Sequence, residues 1–452
     1  MTAILSGIKS LQTFLWSFPM LFLLMGTHIY FTFRLHFIQR KIPEGIVLSF
    51  SGKGQGGRKG SAFSALATAL AATIGTGNII GMSTAIAIGG PGAVFWCWLT
   101  GVFGIATCYA ECYLSVKYRT RKEDGFFKGG PMYVMERALH QKSAAIVFSF
   151  AVILASFGIG SSVQSQSICA AVNQQISVSP KVVGVLTACL AAAVILGGAE
   201  QITKVCIWLV PFMSVFYLSG CFILFWLNRS VLPETIKWIM DSAFSFKSVL
   251  GGSAGGAMLL GMKMGISRGL FTNEAGLGSV PMAAASAGID SPEQQSLISM
   301  TGPFWDTVVM CAITGIAIVS SMIKQSERFA GVSDEQLCFR AFEGLPAYGS
   351  EMLSISLCLF AFATIIGWSY YGECAVKYLG RGHGILLYRI FYIFTVYVGA
   401  VISLDHVWMM SDLFNSFMAF LNLMCLWILR KEVIQSVEKE KTERRNQNVS
   451  CF

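Results

Sequence analysis

Long apolar runs separated by short polar stretches set the pattern of this chain. Read with glycine, proline and charge as breaks, hydropathy predicts about eleven segments close to the roughly 20 residues that cross a bilayer. They run 12–34, 61–89, 92–116, 145–172, 181–198, 203–227, 254–285, 298–323, 350–372, 385–404 and 409–430. The expectation is an all-α, polytopic membrane protein. Membrane domain fills almost the whole chain, so no soluble catalytic domain fits beside it.

Composition agrees with that reading. Of 452 residues, 54% are hydrophobic and 13% charged, against about 25% charged in soluble domains. The net charge of +9 does not point to nucleic acid, because the basic residues gather in short loops and the tail. The first loop holds Arg34, Arg40, Lys41, Lys53, Arg58 and Lys59, and the third holds seven more from Lys117 to Lys142. The second and fourth loops are nearly free of them, apart from Lys181. The positive-inside bias then puts the N-terminus outside and the C-terminus in the cytoplasm of a cell-membrane protein. The seventh loop, SAGIDSPEQQ, has no basic residue and orients its neighbours less firmly.

The 13 cysteines scatter through apolar segments. Cys108 and Cys112 share a helix face without a nearby histidine, and read as small buried hydrophobes. The Gly-rich SGKGQGGRKG (51–60) lacks phosphate-loop spacing and a preceding strand, and reads as a flexible loop. No HExxH occurs in the chain and no paired aspartates lie in facing spans, which leaves a membrane-embedded enzyme without support.

Two segments break the apolar pattern from within. LAATIGTGNIIG (70–81) and GISRGLFTNEAGLGSVP (265–281) both set glycines beside threonine and asparagine. In lipid every backbone N–H and C=O needs a partner, so an interrupted helix persists only beside a polar cavity or ligand. Interruption frees carbonyls for a cation and leaves N–H groups for a carboxylate. Gly75 and Gly77 permit the unwinding, while Thr73, Thr76 and Asn78 supply side-chain donors and acceptors. Gly77 and Gly81 also form a GxxxG pair, so close helix packing is the rival reading. The second interruption, five spans later, favours a transporter site. That offset divides the chain into an extra N-terminal helix and loop (1–60), a five-helix repeat (61–228), an extracellular connection (229–253), a second, inverted repeat (254–430) and a cytoplasmic tail (431–452).

Other polar residues lie at membrane depth. Gln164 either lines a cavity or bonds to a neighbouring helix. Thr364 and Trp368 fall on one helix face at i, i+4; Trp368 reads either as a pocket wall or as a core or interfacial aromatic. Arg268 and Glu274 flank the second interruption, and a break would let them pair. Glu111 and Asp306 read as structural or gating groups, with a proton relay as the alternative.

At these residues the chain resembles the alanine or glycine:cation symporter family, a branch of the leucine-transporter-fold superfamily. ALAATIGTGNIIGMSTAIAIGGPGAVFW, GISRGLFTNEAGLGSVPMAAASA and FAFATIIGWSYYGE carry the likeness, with GGPMYVMERAL and LVPFMSVFYL beside them. It covers essentially the whole chain. The resemblance implies import of a small neutral amino acid, alanine or glycine, coupled to sodium or protons by alternating access, with no nucleic-acid partner and a monomer as the functional unit in lipid. It implies that Thr76, Gly77 and Asn78 hold the substrate carboxylate and that Phe271, Thr272 and Asn273 receive the ammonium. Gln164 and Trp368 would bound the pocket. Sodium would sit on the carbonyls of Ala71, Ile74 and Ala361 and the Thr364 hydroxyl, an oxygen shell suited to a hard cation. One departure is plain: where the family carries Ala-His-Ala, this chain reads PMAAASA, with Ala284 near the expected histidine. Alternatives are a carrier for another neutral amino acid, a passive facilitator, or a nutrient sensor that binds without transporting.

Overall fold

The computed structural model describes residues 19–51, 61–121, 127–244, 254–329, 331–332, 336–402 and 405–439. The start of the first expected span, most of the loop 51–60, Lys122 and the end of the tail lie outside these residues. So does the stretch 245–253 of the expected connection.

The expected apolar segments are helices. The first pair is α1 (Pro19–Arg34) and α2 (Ile42–Ser51), bent by 69°. Next come α3 (Ser61–Thr73) and α4 (Ile80–Gly89), bent by 60°. Then follow α5 (Gly92–Lys117), α6 (Pro131–Arg137), α7 (Lys142–Ala155), α8 (Val163–Gln175), α9 (Pro180–Ile195), α10 (Gly198–Leu227) and α11 (Leu232–Ala243). The second half runs through α12 (Ala254–Asn273), α13 (Val280–Ser286), α14 (Pro292–Ser299), α15 (Ala312–Lys324), α16 (Leu337–Phe342), α17 (Gly349–Leu379), α18 (Ile385–Val401) and α19 (Asp405–Ile428). Among the described residues six stretches are long and apolar enough to cross a membrane, up to eight if each bent pair is one span. Two shorter apolar helices, α9 and α18, stand beside them.

Several features were not in the hydropathy. Residues Ser156–Ser162 join α7 to α8 as a π-helical turn, and Phe304–Cys311 lead into α15 in the same way. Glycines and serines in SFGIGSS tolerate the wider winding. A two-residue hairpin pairs Thr120–Arg121 with Phe127–Lys128 in the third loop. Helix α17 runs on to Leu379, past the expected end at 372. Glu373 there is buried but bonded to Lys377 at 2.6 Å and Arg389 at 2.8 Å, so the charge that marked a boundary is neutralised inside the helix.

Packing sorts the helices by their surroundings. Apolar side chains on α9, α10 and α18 remain exposed, among them Leu186, Leu190, Phe212, Trp226, Leu387 and Phe394. In water such a belt would be a liability; in hydrocarbon it is the expected lipid face. Helix α5 is central, packed against α12, α1 and α14. Close approach there depends on small residues: Gly265 and Gly269 of α12 lie against the backbone of α5 at Ala93 and Cys97.

Candidate functional site

Both interruptions are real breaks, and they touch. At the first, Gly75 is extended and Thr76–Asn78 form a 3₁₀ turn before α4 resumes. The Gly75 N–H, which in a continuous helix would bond the Ala71 carbonyl, donates instead to Asn78 Oδ1 at 2.8 Å. The Asn78 N–H, which would reach the Ile74 carbonyl, goes to the Gly75 carbonyl at 3.2 Å. Two carbonyls are thereby released from the helical ladder. Among the described residues no backbone acceptor takes the Thr76 or Gly77 N–H.

At the second break, Glu274, Gly276 and Gly278 have φ of 51°, 86° and 83°. Glycine adopts such angles freely, and an acidic residue adopts them at a cost. Asn273 Oδ1 accepts the Ala275 N–H at 3.0 Å, a local turn that stops α12. Pro281 opens α13, where a missing N–H costs nothing. A β-carbon on Gly77 would lie 2.7 Å from Thr272 Cγ2, so the two breaks abut directly.

A cavity of about 640 Å³ opens where they meet. Thr76, Gly77, Gln164, Phe271, Thr272 and Trp368 line it, and so does Thr364 of the expected ion site. It continues past Gly81 and Thr84 on α4 and Met264 and Ser267 on α12. This volume falls within the range of small-molecule sites.

Gln164 satisfies both sequence readings at once. It lines the cavity, its Oε1 accepts from the Thr76 hydroxyl at 3.0 Å, and its amide donates to the Ile159 carbonyl in the π-turn at 3.1 Å. Thr272 turns its hydroxyl back to the Arg268 and Gly269 carbonyls at 3.0 and 3.1 Å and shows the cavity its methyl side.

Two expected substrate residues face elsewhere. The Asn78 amide lies behind the break, fully buried, and donates to Asp306 Oδ1 at 2.8 Å and to the Asp306 carbonyl at 3.0 Å. Asp306 Oδ2 in turn accepts from Thr307 at 2.6 Å. The Asn273 side chain is turned toward Gly104 of α5, 3.5 Å from where a β-carbon there would sit. Neither lines the cavity.

One expected ion ligand, Thr364, lies against the first break. A β-carbon on Gly75 would come within 2.6 Å of Thr364 Oγ1, and one on Gly367 within 2.6 Å of the Ala72 nitrogen. Helix α17 therefore runs against the end of α3 at backbone distance. Ala71 and Ile74 are buried at the end of α3, Ala361 is buried one turn before Thr364 on α17, and Thr364 reaches from Gly75 to the cavity. Released carbonyls beside a hydroxyl make an oxygen-rich cleft that suits a hard monovalent cation.

Glu274 plays a part that spacing did not reveal. Its Oε1 accepts from the Trp368 indole at 3.0 Å and its Oε2 from Ser279 at 2.5 Å. It thus spends both oxygens away from Arg268, the partner considered from sequence. The visible signal was an acid inside an apolar segment, followed by two glycines and a proline. Glu111 accepts from Asn422 of α19 at 2.8 Å, and Asn422 also donates to the Gly276 carbonyl, so this acid braces the second break from behind.

The cytoplasmic end, in the expected orientation, is latched. Arg119 donates to the carbonyls of Ala285, Ala287 and Ile289 at 3.3, 2.7 and 2.7 Å, at the end of α13 and just past it, and lies over the Phe127 ring at 3.5 Å. Burial pulls the pKa of its guanidinium down to about 10, partly offset by Asp290. Ala284, at the position of the family histidine, is buried immediately above this latch.

Among the described residues no cluster of three or more His, Cys, Asp or Glu side chains offers a transition-metal site. Cys108 is buried and donates to the Ser299 carbonyl at 3.4 Å, as a small core residue does.

A family model described as the sodium:alanine symporter family matches residues 1–451. The chain is 41% identical over 98% of both lengths to a sodium/alanine symporter, AgcS, of Methanococcus maripaludis. It is 33% identical, over 95% of this chain and 89% of the other, to a probable sodium/glutamine symporter, GlnT, of Bacillus subtilis. A solved substrate-bound, outward-open Na+-coupled sialic acid symporter shares the fold at a TM-score of 0.54 and 11% identity, covering 91% of this chain and 83% of that one.

Proposed function

The chain belongs to the sodium:alanine symporter family, a family of membrane transporters and not of enzymes, and from that premise we propose that it imports alanine or glycine with sodium. The observation that carries the reading is the cavity where two helix breaks meet, with unpaired amides on one wall and released carbonyls beside it.

The substrate carboxylate binds the Thr76 and Gly77 N–H groups, at the positive end of α4. Its ammonium lies toward Phe271, Thr272 and the second break, and its side chain toward Trp368 and Gln164. Sodium occupies the seam between α3 and α17, on the carbonyls of Ala71, Ile74 and Ala361 and the Thr364 hydroxyl. Asn78 acts from behind: by capturing the Gly75 N–H it releases the carbonyl that sodium uses. The repeats 61–228 and 254–430 are inverted relative to one another, span the membrane with an extra N-terminal helix, and rock about the site. The N-terminus faces out. The cavity then extends toward the outer face, while the Arg119 latch closes the inner one.

Sodium supplies the drive. Each unit charge gains about 2.3 kcal/mol per 100 mV of membrane potential, which suffices to accumulate a neutral zwitterion with one accompanying ion.

Labelled alanine uptake into proteoliposomes under an imposed sodium gradient tests this. Uptake indifferent to sodium and to protons would overturn symport. Gly77→Val supplies the site test: its branched side chain would meet Thr272 within 2.7 Å and fill the carboxylate position. It is expected to abolish uptake with insertion intact, and normal uptake would mean that GTGNIIG is only a packing motif. A second reading, a larger neutral amino acid such as glutamine, is favoured by the cavity volume and by the glutamine carrier among the relatives. Competition of unlabelled glutamine and glycine against alanine separates the two.

A further inference from the structure

The pocket wall is held by the broken segment opposite it. Trp368 is fully buried, and its indole N–H, a donor with no acceptor capacity, reaches Glu274 Oε1 at 3.0 Å. On its other side the ring has little slack. A β-carbon on Gly160 would overlap Trp368 Cβ, and Tyr371 meets the indole edge-on with centroids 5.7 Å apart. Glu274 is itself fixed, by its left-handed backbone and by Ser279 Oγ at 2.5 Å. The wall thus stands on α17, whereas the acceptor that sets its angle belongs to the break between α12 and α13. Both side chains line the same cavity.

We propose that Glu274 is a positioning residue: by holding the Trp368 N–H it fixes the indole plane and thereby the side-chain size that the pocket admits. The inference rests on the site assigned under Proposed function. It follows that the size limit is not a property of α17 alone. Any rearrangement of the Glu274–Ser279 turn releases or rotates the wall, so the pocket is narrow only while the break holds its present shape.

The test measures inhibition constants of glycine, alanine, 2-aminobutyrate and valine against sodium-driven alanine uptake in proteoliposomes. It compares wild type, Glu274→Ala, Glu274→Gln and a protein with 3-benzothienylalanine at position 368. That ring keeps the indole shape and replaces the N–H with sulfur. A hydrophobic pocket separates ligands one methylene apart by about tenfold or more. Glu274→Ala and the benzothienyl protein are each expected to lose about tenfold in the ratio of 2-aminobutyrate to alanine constants. Glu274→Gln keeps an acceptor and the ratio, and Glu274→Ala combined with the benzothienyl ring loses no more than either alone. An unchanged ratio in the benzothienyl protein overturns the proposal, and it decides alone if Glu274→Ala does not reach the membrane. If wild type itself shows no dependence on side-chain size, the site assignment fails. If wild type discriminates and the benzothienyl protein does so equally, only the positioning role fails.

Discussion

Exchanging Asn78 and Asp306 separates a structural role of Asn78 from a ligand role. Asn78 donates to Asp306 Oδ1 at 2.8 Å while its own Oδ1 takes the Gly75 N–H. In Asn78→Asp the contact with Gly75 survives, but two carboxylates face each other across that 2.8 Å. At an effective dielectric near 20 their repulsion is about 6 kcal/mol, roughly ten-thousandfold or more in an equilibrium, unless a proton bridges them. Uptake at neutral pH should fall below detection, and the midpoint of thermal unfolding should drop. Adding Asp306→Asn reverses the polarity of the contact. The amide introduced at position 306 then donates to the carboxylate introduced at position 78, and its carbonyl oxygen accepts from Thr307, as Asp306 Oδ2 does now. What stays lost is the Asn78 bond to the Asp306 carbonyl at 3.0 Å, about 1 kcal/mol. The double variant should therefore recover uptake to within about tenfold of wild type, together with its melting midpoint. The assay is sodium-driven alanine uptake, normalised to reconstituted protein, beside a melting curve in detergent. Recovered stability without recovered uptake would refute the reasoning, because Asn78 would then be touching substrate, as the family resemblance implied.

Two further outcomes follow from the same geometry. Thr364→Val keeps shape and removes the hydroxyl that lies beside Gly75 and is proposed as an ion ligand, so half-saturation by sodium should rise about tenfold, the worth of one contact to a charged group. Thr364→Ser should stay near wild type, and equal sodium curves for all three proteins would exclude Thr364 as an ion ligand. Arg119→Ala removes the donor to three carbonyls at and beyond the end of α13. Hydrogen exchange across 281–289 should accelerate about tenfold or more, and Arg119→Lys should not rescue it, because an ammonium lacks the fork that spans several acceptors. Unchanged protection would show that the latch carries no closing force.

The positions of the breaks were legible because composition carried them: glycines beside asparagine and threonine weaken a lipid-length helix, and lipid tolerates such weakness only beside something polar. Gln164, Thr364 and Trp368 were legible for a similar reason, since each is conspicuous at membrane depth, whereas Phe271 and Thr272 came from the family resemblance; all five line the cavity. Direction was not legible. Asn78 and Asn273 sit in the right turns, yet both use side-chain oxygens to cap the local backbone and turn their amides outward from the cavity. A linear sequence does not reveal which face of a broken turn is wet. Long-range partners were hidden for another reason. Asn78 and Asp306 are 228 residues apart and Glu274 and Trp368 are 94 apart, and no local period links them. The π-turns were missed because hydropathy counts apolar residues and is blind to how tightly the helix is wound.

The partners of the two breaks divide the molecule in a way that bears on motion. Asn78 ties the first break to the turn that leads into α15, and Thr272 packs on Gly77, so α4, α12 and α15 share buried bonds and close contacts. Helices α8, α9, α17 and α18 form a second set, packed on one another and facing lipid on α9 and α18. Two side-chain bonds at the cavity wall join the sets: Thr76 to Gln164, and Glu274 to Trp368. The seam between α3 and α17 that we propose for sodium lies on the same boundary. A hydrogen bond exchanged for another costs little net free energy, whereas one broken without replacement costs the desolvation of both groups. A zwitterion in the cavity offers replacements to Thr76 and Gln164, and a cation in the seam does the same for the released carbonyls. Rearrangement along this boundary is therefore least costly when both ligands are present, which is the thermodynamic condition for coupled transport.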